Sequence, residues 1–189
     1  MKSSKHLNYL ALASSRYRKK GFKYIETPYI VSRESIEYTL PKGCHPFEVV
    51  CNGKNMGCLV GSAEQGFLEI YDKLKSNKMY FSYSPCFREE PVLNDKNQQY
   101  FSKIELFCKE PENPLSTLYN FMGVASTIMD SLCHNTFKTN VKTVQSFKSY
   151  DLHINGTEVG SYSIYSKKGR NWVCGTGLAL PRFLYAQSL

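Results

Sequence analysis

Apolar positions recur along the chain at two spacings, one typical of helices and one typical of strands. In the first helical segment Leu7, Leu10 and Tyr17 fall near one face, and Gly21 follows as a stop signal. Similar spacing, or a glycine pair that opens a helix, predicts three further helices. The four predicted helices span residues 4–20, 62–74, 115–132 and 177–187.

Aromatic and β-branched residues, in part at alternating spacing, predict the strands. A polar loop over residues 91–99 predicts a long antiparallel hairpin, and Asn155-Gly156 predicts a tight turn between two later strands. The predicted strands span residues 22–31, 79–90, 100–109, 142–154, 158–165 and 171–175. This order of elements predicts a single α+β domain over residues 1–189, with an antiparallel sheet flanked by helices.

The chain is basic, with 24 Lys and Arg against 16 Asp and Glu and a formal net charge of +8. Such a surface suits polyanions, nucleic acids and nucleotide phosphates among them. Because the lysines are scattered and only Arg18-Lys19-Lys20 forms a compact run, a merely soluble lysine-rich surface explains the charge equally well. No apolar run is long enough to span a membrane, and no cleavage site follows the N-terminal segment, so we expect a cytoplasmic protein without a membrane partner.

The first segment with candidate functional residues is Cys86-Phe87-Arg88-Glu89-Glu90, at the end of a predicted strand. Alternation places Arg88 and Glu90 on the same face. A planar guanidinium can hold a phosphate or a carboxylate, and a nearby glutamate can accept a hydrogen bond from an amine. An exposed ion pair at a hairpin end is the competing interpretation, and it is favoured for this segment taken alone.

Phe101, Lys103 and Glu105 alternate along the return strand and therefore share one face. An aromatic ring in such a position can stack on a nucleobase. A lysine and a glutamate beside it could hold the carboxylate and the amine of an amino acid. A solvent-exposed face with a cross-strand salt bridge explains this strand equally well.

The third candidate segment runs from Gly175-Thr176-Gly177 to Arg182. Two glycines permit a close backbone approach at a strand-to-helix turn, and an arginine near a helix N-terminus suits a triphosphate. The lysine and the spacing of a Walker loop are missing. By itself, a glycine pair before a helix is more often a plain turn.

Taken together and in this order, the segments resemble motifs 2 and 3 of class II aminoacyl-tRNA synthetases, most closely of seryl-tRNA synthetases. The stretch from Gly21 through Leu40-Pro41-Lys42 resembles motif 1, which forms the dimer interface in that family. Gly61-Ser62-Ala63-Glu64 resembles the loop that reads the substrate amine in seryl enzymes. The resemblance extends over roughly residues 15–187 and implies a homodimeric, ATP- and Mg²⁺-dependent enzyme that forms an aminoacyl adenylate.

The resemblance also implies a role for each matching residue. Arg88 would hold the ATP α-phosphate and the amino-acid carboxylate, and Glu90 would accept from the adenine amine. Phe101 and Arg182 would lie on opposite faces of adenine, with Arg182 also near the γ-phosphate. Residues implied at the Mg²⁺ and phosphate site are Glu158 and Ser161. Residues implied around the amino acid are Ser62, Glu64, Lys103, Glu105 and Thr176.

The sequence departs from the family's pattern in ways that bear on the acceptor. The long N-terminal helical arm that grips tRNA in seryl enzymes is not expected here, because only a short helix precedes motif 1. The motif 2 loop over residues 89–99 contains no arginine, and Lys96 is its only cation. The core is also trimmed between Leu40 and Gly61 and between Ser161 and Trp172. Cys174 and Pro181 stand where the family usually has Asn and Gly.

A related branch of the family aminoacylates a carrier protein and binds zinc through two cysteines and a glutamate. The set in this sequence would be Cys58, Glu105 and Cys174, although the spacings match that branch poorly. The seven cysteines show no CxxC spacing. Buried free thiols are therefore the favoured interpretation.

Two functional hypotheses remain open at this stage. The first is an enzyme that activates a small amino acid, with serine favoured by Thr176 and Glu105, and transfers it to a carrier protein, a small molecule or a tRNA. The second is a non-catalytic synthetase paralogue that binds an amino acid or a nucleotide. Activity is favoured by the presence of the residues implied at the ATP site, which are Arg88, Glu90, Phe101, Glu158 and Arg182. The absence of an arginine from the motif 2 loop favours the non-catalytic paralogue.

Overall fold

A computed structural model describes residues 3–40, 44–90, 92–133, 141–145 and 149–189 of the chain. It contains five α-helices within these ranges and a short 3₁₀ turn at Tyr71–Lys73. The helices are α1 (Ser3–Lys19), α2 (Arg33–Glu37), α3 (Ala63–Glu69), α4 (Pro114–Leu132) and α5 (Arg182–Gln187).

The strands form two sheets. Bounds of the first five strands are β1 (Lys23–Tyr24), β2 (Ile30–Val31), β3 (Glu48–Cys51), β4 (Lys54–Leu59) and β5 (Met79–Phe87). The remaining strands are β6 (Tyr100–Lys109), β7 (Val141–Gln145), β8 (Tyr150–Ile154), β9 (Thr157–Lys167) and β10 (Arg170–Leu180).

The main sheet has seven strands in the order β1-β5-β6-β10-β9-β8-β7. All neighbouring strands are antiparallel except β1, which pairs parallel to β5. The predicted hairpin is present as β5 and β6, and the predicted turn at Asn155-Gly156 joins β8 to β9 with both residues at positive φ. The predicted α+β class, with a largely antiparallel sheet flanked by helices, is confirmed.

Helices cover both faces of the main sheet. On one face α1, α4 and α5 bury Tyr17, Phe121 and Phe183 against the strands. On the other face α3 packs Phe67 flat on Phe107 of β6, with ring centroids 4.8 Å apart. Successive residues of a strand point to opposite faces, so one strand supplies both cores.

Strand β10 differs from its prediction. We expected a short strand over residues 171–175 and a helix from residue 177, but the strand continues to Leu180 and α5 begins at Arg182. A bulge between Thr176 and Leu178 inserts one extra residue against β6. Val173 and Leu178 therefore both face the same core although they are five positions apart.

Two other predicted strands are divided in the structure. The segment 22–31 contributes β1 to the main sheet and β2 to the small one, and the segment 142–154 contributes β7 and β8. Residues 146–148, between β7 and β8, lie outside the described part of the chain, as do residues 41–42 at the end of the motif 1 stretch.

A three-stranded sheet, in the order β2-β4-β3, was not predicted. It packs with α2 around Val31, Ile36, Cys58 and Val60. Its hairpin turns at Asn52-Gly53 with φ of 50° and 74°, the same turn chemistry that was recognised at Asn155-Gly156. In the residues that the structure describes, no helix is long and apolar enough to cross a membrane.

Candidate functional site

A cleft opens at one end of the main sheet, where β5 and β10 end and where β6 and β9 begin. It has two connected compartments, with volumes of about 110 Å³ and about 520 Å³, which we call the small and the large compartment. Residues that line both compartments are Arg88, Glu90, Lys103, Ser161 and Thr176. The two volumes are thus parts of one continuous cleft.

Arg88 lies at the junction of the two compartments, just beyond the end of β5. Its Nε–H donates to the carbonyl oxygen of Gly61 at 2.9 Å, and its guanidinium carbon lies 5.3 Å from the ring centroid of Phe101. These two contacts orient the guanidinium plane. In the part of the chain that the structure describes, neither Nη nitrogen makes a protein hydrogen bond, so both are available to an anion in either compartment.

Arg182, in the first turn of α5, closes the small compartment. Its Nη1 lies 3.0 Å from Glu158 Oε1, and its Nη2 donates to Asn97 Oδ1 at 3.2 Å. Asn97 belongs to the loop between β5 and β6 and was not predicted as a site residue. Lys96 of the same loop lies 4.8 Å from the ring centroid of Tyr185. The loop is thereby held against α5 beside the compartment.

A buried polar cluster forms the wall of the large compartment. Lys103 Nζ lies 2.6 Å from Glu105 Oε2, and the Ser62 hydroxyl donates to the same carboxylate. Ser62 also caps α3, because its Oγ accepts from the backbone N–H of Glu64 at 3.2 Å. Lys103 and Glu105 are only 9% and 2% exposed, so this is a desolvated ion pair rather than the surface salt bridge that the strand pattern also allowed.

Glu64 lies deeper in the same wall. Its Oε1 accepts from Trp172 Nε1 at 2.7 Å and from Cys174 Sγ at 3.0 Å. Burial, together with the nearby Glu105 carboxylate, raises the pKa of Glu64 above its ordinary value. Burial also raises the pKa of the Cys174 thiol, which therefore stays protonated and donates. Trp172 was not predicted at the site, although its two-residue spacing from Cys174 places both on one face of β10.

Thr176 connects β10 to β9 at the floor of the cleft. Its Oγ1 accepts from the backbone N–H of Ser161 at 3.4 Å, and its carbonyl oxygen accepts from the Tyr162 hydroxyl at 2.6 Å. Gly175 permits this contact, because a Cβ there would lie 2.1 Å from Tyr162 Cδ1. The glycine pair was predicted to permit a close backbone approach at a strand-to-helix turn. In the structure, the close approach is instead that of the buried Tyr162 ring to Gly175, within the sheet.

All the residues expected around ATP, Mg²⁺ and the amino acid line one or both compartments. The alternative zinc set does not form a cluster. Cys58 lies in the core of the small sheet, and Cys174 donates to Glu64. Within the described ranges, no three histidine, cysteine, aspartate or glutamate side chains are close enough to share a metal ion.

Comparison with known structures places this architecture in a class. The chain superposes on the seryl-tRNA synthetase of Pyrococcus horikoshii, solved with ATP, with a TM-score of 0.76 and 18% identity over 96% of this chain and 49% of that one. The cytoplasmic serine–tRNA ligase of Naegleria fowleri, solved with AMP, gives 0.73 and 16% over 95% and 47%. A pyrrolysyl-tRNA synthetase of Desulfitobacterium hafniense gives 0.71 and 15% over 96% and 68%. The fold is that of the class II aminoacyl-tRNA synthetase catalytic core.

Sequence comparison adds a likeness to a further seryl enzyme. The chain is 32% identical over 120 residues to the serine–tRNA ligase of Corynebacterium kroppenstedtii, a match that covers 57% of this chain and 28% of that protein. No family model matches the chain. The chain thus spans about half the length of the two seryl enzymes of known structure, and the match spans under a third of the curated relative.

Proposed function

We propose that the protein uses ATP and Mg²⁺ to activate serine as its adenylate. The observation that carries this proposal is the position of Arg88 between two compartments of unlike chemistry. On one side lie an aromatic ring and an arginine, and on the other lies a buried cluster of carboxylates, hydroxyls and a lysine. A single guanidinium between them can hold both reacting groups of an adenylation, a phosphate and a carboxylate.

In this proposal the small compartment takes the nucleotide. Phe101 and Arg182 offer two planar surfaces for adenine, and Glu90 accepts from its exocyclic amine. The cavity of about 110 Å³ is smaller than ATP, so the triphosphate extends towards the open side of the cleft, beside Arg182 and Lys96.

The large compartment takes the amino acid. Glu105 supplies an anionic group for the ammonium and Glu64 supplies an acceptor oxygen. Lys103 supplies a cation, while Ser62 and Thr176 supply hydroxyls. A site with several buried polar groups penalises a ligand that leaves them unpaired, which favours serine over alanine. At about 520 Å³ the compartment also has room for the end of an acceptor.

The reaction needs no protein nucleophile. One oxygen of the serine carboxylate attacks the α-phosphorus in line, the bond from that phosphorus to the bridging oxygen breaks, and pyrophosphate leaves with the electron pair. Arg88 holds the two reacting groups together and stabilises the charge that builds up on the α-phosphoryl oxygens. The chain's contribution is therefore positioning and electrostatic stabilisation.

Glu158 and Ser161 would hold Mg²⁺ in this proposal. Hard divalent cations prefer oxygen ligands, and Glu158 has a second carboxylate oxygen besides the one paired with Arg182. Its side chain lines the cleft and is 42% exposed, so phosphate oxygens and water can complete the coordination. When bound, the ion neutralises charge on the phosphates and the departing pyrophosphate.

Trapping the adenylate tests this assignment of substrates. Hydroxylamine converts an aminoacyl adenylate to a hydroxamate, so incubation with ATP, Mg²⁺ and serine should yield seryl hydroxamate by mass spectrometry. Alanine in place of serine should yield at most about one part in a hundred, since it leaves buried polar groups unpaired. Equal yields from serine and alanine would overturn the assignment of serine.

One observation favours a second candidate, a non-catalytic paralogue that binds an amino acid or a nucleotide. Arg182 is already neutralised by Glu158, and the loop over residues 89–99 supplies no arginine for the outer phosphates. A protein of this kind would bind ATP in calorimetry and would release no pyrophosphate with any amino acid.

The acceptor and the assembly state also belong to the proposal. The cleft fits transfer of the seryl group to a carrier protein, a small molecule or a tRNA. The motif 1 stretch, which begins at Gly21 and includes β2 and α2, would form a homodimer interface. Light scattering should give twice the chain mass of 21.7 kDa, and a monomer at micromolar concentration would remove the motif 1 assignment.

A further inference from the structure

The end of the main sheet opposite the cleft carries a concentration of positive charge. Strand β5 begins at this end and reaches the cleft eight residues later, so the two ends lie about 26 Å apart. The basic side chains here are Lys19, Lys20, Lys23, Lys73, Lys75, Lys78, Lys109, Lys167, Lys168 and Arg170, which together we call the basic end. Acidic side chains in the same segments are Asp72, Glu110 and Glu112.

Strand register brings these cations together from distant parts of the sequence. Lys23 of β1 pairs with Tyr80 of β5, and Lys78 precedes Met79, the partner of Cys108. Further along the row, Trp172 of β10 pairs with Lys109 of β6, and Arg170 pairs with Lys167 of β9. The basic side chains thus form a row that crosses five adjacent strands. At about 4.8 Å between strands it is roughly 19 Å long, which is too long for a single phosphate and suits several in succession.

Most of these lysines are exposed, and their side chains form no hydrogen bond or ion pair with other described residues. Among the described residues, Lys19, Lys20, Lys23, Lys73, Lys75 and Lys78 are exposed and make no side-chain hydrogen bond or ion pair. Lys167 and Arg170 differ from these lysines, because their side chains donate hydrogen bonds to the carbonyl oxygens of Tyr38 and Leu68. The ten cations exceed the three acidic groups by seven charges, nearly the net charge of +8 of the whole chain.

The chemistry of this surface favours a polynucleotide over a protein or a membrane. Protein interfaces have an apolar and aromatic core, and membrane-surface segments insert apolar side chains. None of the exposed large apolar residues lies in the segments 19–23, 72–78, 109–112 or 167–171 within the described chain. Lysines act as flexible point charges, which suits sequence-independent contact with phosphates.

We propose that the basic end is a second binding surface, separate from the cleft, for the phosphate backbone of an RNA. The preference for RNA over other polyanions rests on the proposed function, in which tRNA is one possible acceptor; the surface itself does not depend on that function. An RNA held there would have its nearest phosphates about one strand length from the reacting groups.

The test is the salt dependence of RNA binding. A fluorescently labelled tRNA transcript is titrated with the full chain at several salt concentrations, and log K is plotted against log[salt]. Lys75→Gln and Lys78→Gln should each reduce the slope by about one unit, because each removes one phosphate contact. Lys54, another exposed lysine, lies at the turn of the small sheet, so Lys54→Gln is the matched control and should leave the slope unchanged.

Three outcomes would overturn the proposal. The first is an equal loss of slope in Lys54→Gln, which would indicate a response to net charge alone. The second is loss of RNA binding in Arg88→Ala, which would place the RNA in the cleft. The third is binding to vesicles of phosphatidylserine and phosphatidylcholine, or to an acidic carrier protein, with no binding to RNA. Failure of serine activation with the slope pattern intact would remove the proposed function and leave the basic end in place.

Discussion

Arg182 Nη1 lies 3.0 Å from Glu158 Oε1, and this ion pair joins α5 to β9 across the small compartment. Both side chains are about one-third or more exposed, at 32% and 42%, so the pair adds little to folding stability. Its consequence is local. It holds a cation and an anion at the place where, in the proposed function, triphosphate and Mg²⁺ would meet.

Glu158→Gln should raise the Mg²⁺ concentration needed for half-maximal adenylate formation, because a neutral amide is a weaker ligand for a hard cation than a carboxylate. The free energy of unfolding should change by less than about 1 kcal/mol, as for other exposed pairs. A Mg²⁺ titration of activity measures the effect. Glu48→Gln, which removes the exposed partner of Arg33, is the control, and equal Mg²⁺ curves for both variants would exclude Glu158 as a ligand.

Phe101→Ala should weaken ATP binding by about 1–3 kcal/mol if the ring stacks on adenine. The neighbouring Tyr100 is 56% exposed and does not line the cleft, so Tyr100→Ala is the matched loss of an aromatic ring. Isothermal titration calorimetry with ATP measures both variants. Equal affinity of Phe101→Ala and the parent protein would show that the ring has only a structural role.

Gly175→Ala should destabilise the fold by about 1–3 kcal/mol, because the new Cβ would lie 2.1 Å from a carbon of the fully buried Tyr162 ring. Gly123→Ala provides the opposite expectation. Gly123 lies inside α4 with nothing within 4 Å of a new Cβ, so alanine should stabilise the protein by about 0.5–1 kcal/mol. Urea unfolding compares the two variants, and an unchanged midpoint for Gly175→Ala would contradict the close packing of Gly175 against Tyr162.

The raised pKa of Glu64 predicts a pH dependence of stability. Its folded pKa lies above its unfolded pKa, so the folded protein retains a proton that the unfolded chain releases. The resulting stabilisation is full below the unfolded pKa of about 4.3 and is lost as pH rises through the higher folded pKa. Glu64→Gln keeps an acceptor for Trp172 but cannot titrate. Its free energy of unfolding should therefore not show this decrease as pH rises.

The exposed substitution Glu34→Gln is the control for Glu64→Gln, because it removes the same charge without a buried environment. The free energy of unfolding, measured with urea and plotted against pH from acidic to neutral, should give parallel curves for Glu34→Gln and the parent protein. A flatter curve is expected for Glu64→Gln alone. Three parallel curves would contradict the raised folded pKa of Glu64.

The parts of the fold that were predictable depend on local signals. Helices α1 and α4 followed from periodicity, and the β5–β6 hairpin followed from two strand patterns around a polar loop, because these contacts are close in sequence. Strand β10 was mispredicted because its glycines indicate a turn locally, whereas its pairing with β6 and β9 continues the strand. The small sheet was missed although Asn52-Gly53 carries the turn signal that was used at Asn155-Gly156.

The candidate site was predictable for a different reason. Arg88, Phe101 and Arg182 were identified by residue type and order, which follow a family pattern without any knowledge of distances. The contacts that hold the site together carry no such signal. The pairs Trp172–Glu64 and Arg182–Asn97 are separated by 108 and 85 residues, and packing alone brings them together.

The most direct test of serine activation is ATP–pyrophosphate exchange, measured with each of the twenty amino acids, Mg²⁺ and no RNA. We expect exchange with serine, a rate at least about a hundredfold lower in Arg88→Ala, and an unchanged rate in Arg33→Ala, an exposed arginine outside the cleft. Circular dichroism should show that both variants are folded. Folded protein that gives no exchange with any amino acid, or equal exchange by Arg88→Ala, would contradict the account.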